Sequence, residues 1–175
     1  RVARPLIFRL PPEGAHRAAE VALSIPGFWN VFRPFNGARD RKLATALAGI
    51  PLPTPLGMAA GFDKDCKVAG PVLNLGFGFI TGGTVTLSSR PGNPKPRIAR
   101  LPDQRALMNS LGFPGQGLEA ALRRLKKSQK HRDRIFLSIS GTIEDEVVEC
   151  FRRTQPLIAG IELNISSPNT AGLRT

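Results

Sequence analysis

The chain has 175 residues, is 41% apolar and 22% charged, and carries 25 basic against 13 acidic side chains for a net charge of +12. These proportions exclude a disordered chain, no run approaches the roughly 18 uncharged apolar residues of a membrane-spanning helix, and the Arg-flanked start leads into Pro-rich sequence instead of a signal peptide's apolar stretch. The cationic excess suits acidic lipid headgroups or a carboxylate substrate with a phosphorylated cofactor; without a recognised motif or interleaved aromatics, nucleic acid is not expected as a partner.

After Pro11 and Pro12, residues Ala15, Ala18, Ala19, Ala22 and Leu23 recur at i, i+3, i+4, i+7 and i+8, the stripe of a short helix that 24–27 ends. Phe28, Trp29, Phe32 and Phe35 then crowd together before a second expected helix over 39–47. Such a piece can dock on the domain's own core or lie on a membrane with its apolar side among lipid tails. From Pro55 onward the pattern predicts strand 56–60, helix 68–75, strand 79–84, helix 118–127, strand 135–139, helix 144–155 and strand 160–165. This alternation is that of a parallel α/β sheet. The basic run over 123–134 reads as the wet face and C-terminal end of a helix. A Gly-, Pro- and Arg-rich insertion over 86–117 is too long for a plain connection, which marks it as functional. Cys66 and Cys150 match no metal spacing and read as buried or idle thiols in a reducing compartment, so no metal is expected.

Two strand ends carry the chemistry. The apolar run over 158–163 passes directly into Asn164, Ser167 and Asn169. Each carboxamide donates and accepts in one plane, which suits a flat ring bearing N–H and C=O groups. Pro168 restricts Ser167 to extended conformations, although these residues taken alone serve equally well as a turn. The segment over 55–65 is likewise a short apolar strand that ends in a Gly turn followed by Asp63 and Lys64. Both clusters follow the C-terminal end of a strand, where (β/α)8 barrels hold their active sites.

Together the two segments resemble dihydroorotate dehydrogenase, in the membrane-associated, quinone-using class of that flavin enzyme family. The loop there reads N-[IV]-S-S-P-N-T with Ser at the catalytic position, where the soluble class carries Cys. Further matches follow in order: Arg4-Pro5-Leu6-Ile7-Phe8, Ala15-His16, Gly83-Thr84-Val85-Thr86, Gly92-Asn93-Pro94-Lys95-Pro96-Arg97, Asn109 and Gly112-Phe113.

The resemblance implies an α/β fold, a (β/α)8 TIM barrel of which about the first four β/α units are present over 49–175. A helical segment over 1–48 would serve as membrane anchor and quinone tunnel. It implies oxidation of dihydroorotate to orotate in pyrimidine biosynthesis: a base removes the C5 proton, a hydride passes from C6 to N5 of FMN, and a quinone reoxidises the flavin. Ser167 would be the base. FMN would contact Ala60, Gly61, Lys64, Thr84, Ser138 and Asn164. Dihydroorotate or orotate would contact Lys64, Asn109, Ser110, Leu111, Gly112, Phe113, Asn164, Asn169 and Thr170, and the quinone His16 and Arg100. The place would be the cytoplasmic face of a bacterial inner membrane or the mitochondrial inner membrane, with the protein peripheral. A barrel of this kind needs about 250 residues, so the chain reads as a half barrel, incomplete and inactive alone.

Two departures leave alternatives open. Asn109 is followed by Ser110-Leu111-Gly112-Phe113-Pro114, where the quinone class has N-R-[YM]-G-F-N. The run Phe136-Leu137-Ser138-Ile139-Ser140-Gly141-Thr142 stands where the family has G-[IV]-N-[IL]-G-K-N, which puts Ser138 at a flavin-contacting asparagine. A related FMN-dependent barrel oxidoreductase acting on another cyclic amide, or an inactive truncated half barrel, are the competing readings.

Overall fold

The computed structural model describes residues 3–35 and 41–165. Helices α1 (Ala3–Phe8) and α2 (Pro12–Leu23) come first, with Pro12 in the first turn of α2, where its missing N–H costs nothing. Ala15 and Leu23 are buried, Ala19 is half-buried, and Ala18 and Ala22 face outward. The docked face of α2 is therefore narrower than the alanine stripe and includes the half-buried His16 and Glu20. A 3-10 helix, Phe28–Phe35, follows. Trp29 packs on the core and donates its indole N–H to the Ala22 carbonyl at 2.8 Å, while Phe28 and Phe32 stay exposed. No helix among the described residues is long and apolar enough to cross a membrane.

The helix expected over 39–47 is not what forms. Within its described part, a short 3-10 turn, Arg41–Leu43, leads into a hairpin of β1 (Thr45–Leu47) and β2 (Ile50–Leu52) in which Leu47 pairs with Ile50. The two-residue turn, Ala48 and Gly49, has φ of 49° and 81°, and positive φ at both positions is what a tight hairpin turn needs. Pro51 and Pro53, just downstream, cannot extend a helix.

The main sheet is parallel, in the order β3 (Gly57–Met58), β4 (Phe79–Val85), β7 (Ile135–Ile139) and β8 (Gly160–Leu163). Between them lie α3 (Ala69–Asn74), α4 (Gly117–Lys127) and α5 (Glu144–Thr154), so the expected alternation is present to within a few residues. Leu118, Ala121, Leu122 and Leu125 recur at i, i+3, i+4 and i+7 and are buried, which lays one face of α4 on the sheet. All five residues of β7 are buried, as in a strand covered on both faces. In α5, Glu144, Asp145 and Glu146 open the helix and Arg152 and Arg153 close it, matching the helix dipole at both ends. The insertion contains an antiparallel hairpin absent from the sequence expectation, β5 (Ile98–Leu101) with β6 (Ala106–Asn109). Its turn closes with the Arg105 N–H donated to the Pro102 carbonyl at 3.1 Å, and Arg105 itself at φ 49°.

Candidate active site

The C-terminal ends of β4, β7 and β8 meet in one hydrogen-bonded chain. Asn164, just past β8, donates its backbone N–H to Ile139 O at 2.9 Å and accepts on its own carbonyl from Ser140 Oγ at 2.8 Å. Its backbone thus fixed, Asn164 donates from Nδ2 to Thr84 Oγ1 at 3.1 Å. Thr84 Oγ1 lies in turn 3.0 Å from Ser138 Oγ. Thr84 and Asn164 are half-buried and reach the strand-end surface, whereas Ser138 lies beneath them at 0% exposure. The strands approach closely here because Gly83, at φ 102°, has no side chain; a Cβ would collide with the Ser138 carbonyl oxygen.

The loop after β3 is stitched to the same place. Gly61 N–H donates to Gly83 O at 2.8 Å, and Gly83 N–H donates to Asp63 O at 2.9 Å. The buried Asp63 carboxylate accepts the N–H groups of Lys67 and Val68 at 2.7 and 2.9 Å, closing the turn into α3. Burial nevertheless pushes the Asp63 carboxyl up against those bonds. Lys64 folds back and donates from Nζ to Gly61 O at 2.7 Å. Desolvation holds its ammonium below the ordinary lysine value, with the Glu20 charge opposing that shift. Gly61 itself, at φ 99°, faces open space, since a Cβ there would meet nothing within 4 Å.

Asp65 links this loop to the insertion. It accepts the Gln116 N–H on Oδ1 at 2.8 Å, its carbonyl accepts from Arg124 at 3.0 Å, and Lys67 pairs with Oδ2 at 3.3 Å. The segment from Asn109 to Phe113 is hydrogen-bonded to the irregular stretch 90–97. Ser110 donates its N–H to Arg97 O at 2.9 Å and its carbonyl accepts from Asn93 Nδ2 at 2.8 Å, while Asn93 N–H donates to Leu111 O at 2.9 Å. Gly112 is buried with φ 68°, and Asn93 fills the space where its side chain would stand. Asn109 and Ser110 are exposed at the end of β6.

The N-terminal helices lie over this end of the sheet. The His16 ring is 5.3 Å from the Phe62 ring, and its Nε2 is 3.7 Å from Glu20. Glu13 takes Arg97 in a two-pronged contact, Nε to Oε1 at 3.0 Å and Nη2 to Oε2 at 3.3 Å, with Lys95 at 3.2 Å. Arg100 donates to the carbonyls of Phe8 and Leu10 at 3.3 and 2.7 Å and stacks 4.7 Å over the Phe8 ring. Its guanidinium therefore closes the C-terminal end of α1. Ser167, Asn169 and Thr170 lie outside the described residues.

The structure thus brings Gly61, Lys64, Thr84 and Asn164 to one strand-end surface, leaves Ser138 buried beneath it, and sets Phe62 under His16. Sequence reasoning missed Glu13, Glu20, Asp65, Lys67 and Arg97, whose charges join α2, the loop and the insertion. The free thiols of Cys66 and Cys150 are buried, which pushes the first well up and the second to about 11. The backbone at Gly61 faces open space, with the Lys64 ammonium on its carbonyl and the Asn164 carboxamide on the Thr84 hydroxyl. A carboxamide, a hydroxyl and a cation beside bare backbone offer donors, acceptors and positive charge; among the described residues no group of three or more His, Cys, Asp or Glu side chains could hold a metal ion.

Comparison with known proteins points to one family. Residues 42–175 match the sequence model of the family described as Dihydroorotate dehydrogenase. A "Dihydroorotate dehydrogenase (quinone)" of Acidithiobacillus ferrooxidans is 40% identical over 186 residues, covering 98% of this chain and 50% of the relative. One of the same name from Allorhizobium ampelinum is 42% identical over 180 residues, covering 99% and 48%. Among solved structures, DHODH of Eimeria tenella in complex with ferulenol superposes with a TM-score of 0.78 at 31% identity, over 97% of this chain and 49% of that one. The chain spans about half the length of the curated relatives it matches.

Proposed function

The chain belongs to the dihydroorotate dehydrogenase family, and from that premise we propose that it forms the first half of a quinone-dependent dihydroorotate dehydrogenase. In this reading 49–175 supply the first four β/α units of an eight-stranded flavin barrel, and 1–48 form the segment that meets the membrane and admits quinone. FMN, when bound, supplies the hydride acceptor. The observation that carries the proposal is the convergence of Gly61, Lys64, Thr84 and Asn164 on one open strand-end surface.

The residues take distinct roles. Ala60 and Gly61 form the floor on which the ring lies, because backbone without a side chain allows close approach. Thr84 and Asn164 hold the ring's polar edge, with Ser138 beneath them. The Lys64 ammonium faces the substrate carboxylate; already desolvated, it gains more from an anion than a hydrated lysine would. Asn109, Ser110, Leu111, Gly112 and Phe113 close over the substrate, joined by Asn164, Asn169 and Thr170. Ser167 accepts the C5 proton of dihydroorotate, and a hydroxyl does this only where a closed, hydrogen-bonded pocket relays the proton onward. His16, against Phe62, stands where a quinone would come toward the ring, and Arg100 holds α1 in place beside it. The protein would sit peripherally on the inner membrane. The excess of cations suits that surface as well as the substrate.

The test uses the full-length protein. It should purify yellow with FMN, dihydroorotate should bleach the flavin without oxygen while orotate appears, and a soluble quinone should restore the colour. A flavin that stays oxidised with dihydroorotate but is reduced by another cyclic amide would transfer the reading to a related barrel oxidoreductase.

A further inference from the structure

Ser138 has 0% exposure beneath Thr84, so a ligand reaches it only if Thr84 or its neighbours move. The family resemblance nevertheless places a flavin-contacting asparagine at this position. Serine is too short to reach past Thr84, and its hydroxyl meets Thr84 Oγ1 at 3.0 Å instead.

We propose that Ser138 is a positioning residue: of the two directions open to the 3.0 Å bond between the hydroxyls, the one in which Ser138 accepts a hydrogen bond from Thr84 holds, so that Thr84 meets Asn164 only as an acceptor, and Asn164 turns its Oδ1 toward the N–H groups of the bound ring. The inference rests on the flavin reading above. A threonine hydroxyl has one proton and two lone pairs. With that hydrogen directed at Ser138, the group can only receive from the Asn164 carboxamide, and the structure has Nδ2 donating to Thr84 Oγ1 at 3.1 Å. The rest of Asn164 cannot compensate, because its backbone is held on both sides by Ile139 and Ser140. Without the Ser138 hydroxyl, Thr84 is released to donate. The carboxamide can then flip, and a donor would face the ring's own N–H.

The experiment compares Ser138→Ala, Thr84→Val and the double variant in the full-length protein, read by flavin absorption, orotate dissociation constant and melting temperature. Ser138→Ala should alter the orotate-bound flavin spectrum and weaken orotate about 3- to 10-fold, the size of one misaligned hydrogen bond. In the Thr84→Val background the same substitution should add less than about 2-fold, because residues acting as one unit are not additive. Additive losses would overturn the proposal, as would a lowered melting temperature with spectrum and orotate affinity unchanged. Ser138→Cys, close in size and a poor acceptor, carries the same test should alanine not fold. A wild type without flavin overturns the parent reading as well as this one; a flavin-loaded wild type with additive variants overturns this one alone.

Discussion

Glu20 and Lys67 hold their charges 3.5 Å apart across the junction between α2 and the loop that carries Lys64. Lys67 stands at the same time 3.3 Å from Asp65, which accepts the Gln116 N–H on its other oxygen. One cation therefore joins the N-terminal helix, the Lys64 loop and the insertion. Both partners of the Glu20 pair are partly exposed, so its worth lies in geometry more than in stability.

The pair sets a pH dependence for the helix. The Glu20 carboxyl is held below its ordinary value of 4.5, first by its contact with His16 and then by the Lys67 charge, with burial opposing them. A lowered folded-state value stabilises the docked helix above the unfolded value, and that stabilisation disappears as pH falls through the folded one. Glu13 is lowered too, chiefly by Arg97, and acts in the same direction. Hydrogen exchange of the α2 amides in the full-length protein should therefore speed up below about pH 4.5, once corrected for intrinsic rates. Glu20→Gln should make that dependence shallower. An unchanged profile in the variant would assign the acid sensitivity elsewhere.

Lys64 carries a sign of its own. Its folded-state value is below the lysine norm of 10.5 because the ammonium is desolvated, so at neutral pH its charge costs stability, and that cost declines as pH rises between the two values. Lys64→Met should leave the melting temperature of the full-length protein unchanged or raise it at neutral pH, while orotate affinity falls at least about 10-fold with the loss of a charged partner. A variant that loses stability and keeps orotate affinity would make Lys64 a structural residue.

How much of this was legible in the sequence depends on how local the cause is. The spacing of Leu118, Ala121, Leu122 and Leu125 and the mostly apolar run of β7, broken only by Ser138, were readable, since each element is dictated by its own burial pattern. The hairpin over Thr45–Leu47 and Ile50–Leu52 was not, because threonine, alanine and leucine there tolerate a helix and only the Ala48-Gly49 turn and Pro51 speak against it. Pro102 and Asp103 between two apolar runs were the signal for the second hairpin. In the site, the rule that chemistry follows strand ends pointed to Lys64 and Asn164, and the family motifs to Thr84 and Ser138. That Ser138 lies beneath Thr84 depends on the close approach of β4 and β7 at Gly83, which no single-segment pattern encodes. Ion pairs such as Glu20 with Lys67 or Glu13 with Arg97 join residues far apart in the chain, so their partners become visible only in the fold.

Ser167 follows from motif and loop chemistry alone and calls for a kinetic measurement. In the full-length protein, Ser167→Ala should slow flavin reduction by dihydroorotate about 10²- to 10⁴-fold, the span of a lost general base, while orotate affinity changes little. Ser167→Cys should retain more activity than alanine at raised pH, where thiolate forms. Near-normal single-turnover reduction in the alanine variant would remove Ser167 from the mechanism.

The outer surface of the N-terminal segment carries large apolar side chains. Leu23 and Trp29 pack on the core, so removing the whole segment would uncover apolar surface and confuse stability with membrane contact. Val21, Phe28 and Val31, by contrast, are 64%, 52% and 57% exposed, large apolar side chains on the segment's outer surface, with Arg17 exposed one turn before Val21 on α2. An apolar face framed by cations binds an anionic bilayer through buried area and charge together, and that binding weakens with salt. Replacing Val21, Phe28 and Val31 by serine in the full-length protein should leave the melting temperature and the bleaching of flavin by dihydroorotate unchanged. Binding to vesicles containing anionic lipid should fall at least about 10-fold, since each large side chain left in water forfeits roughly 1.5–3 kcal/mol of burial, and turnover with a membrane-embedded quinone should fall with it. Vesicle binding and quinone turnover both at wild-type level would mean that this face does not meet the membrane.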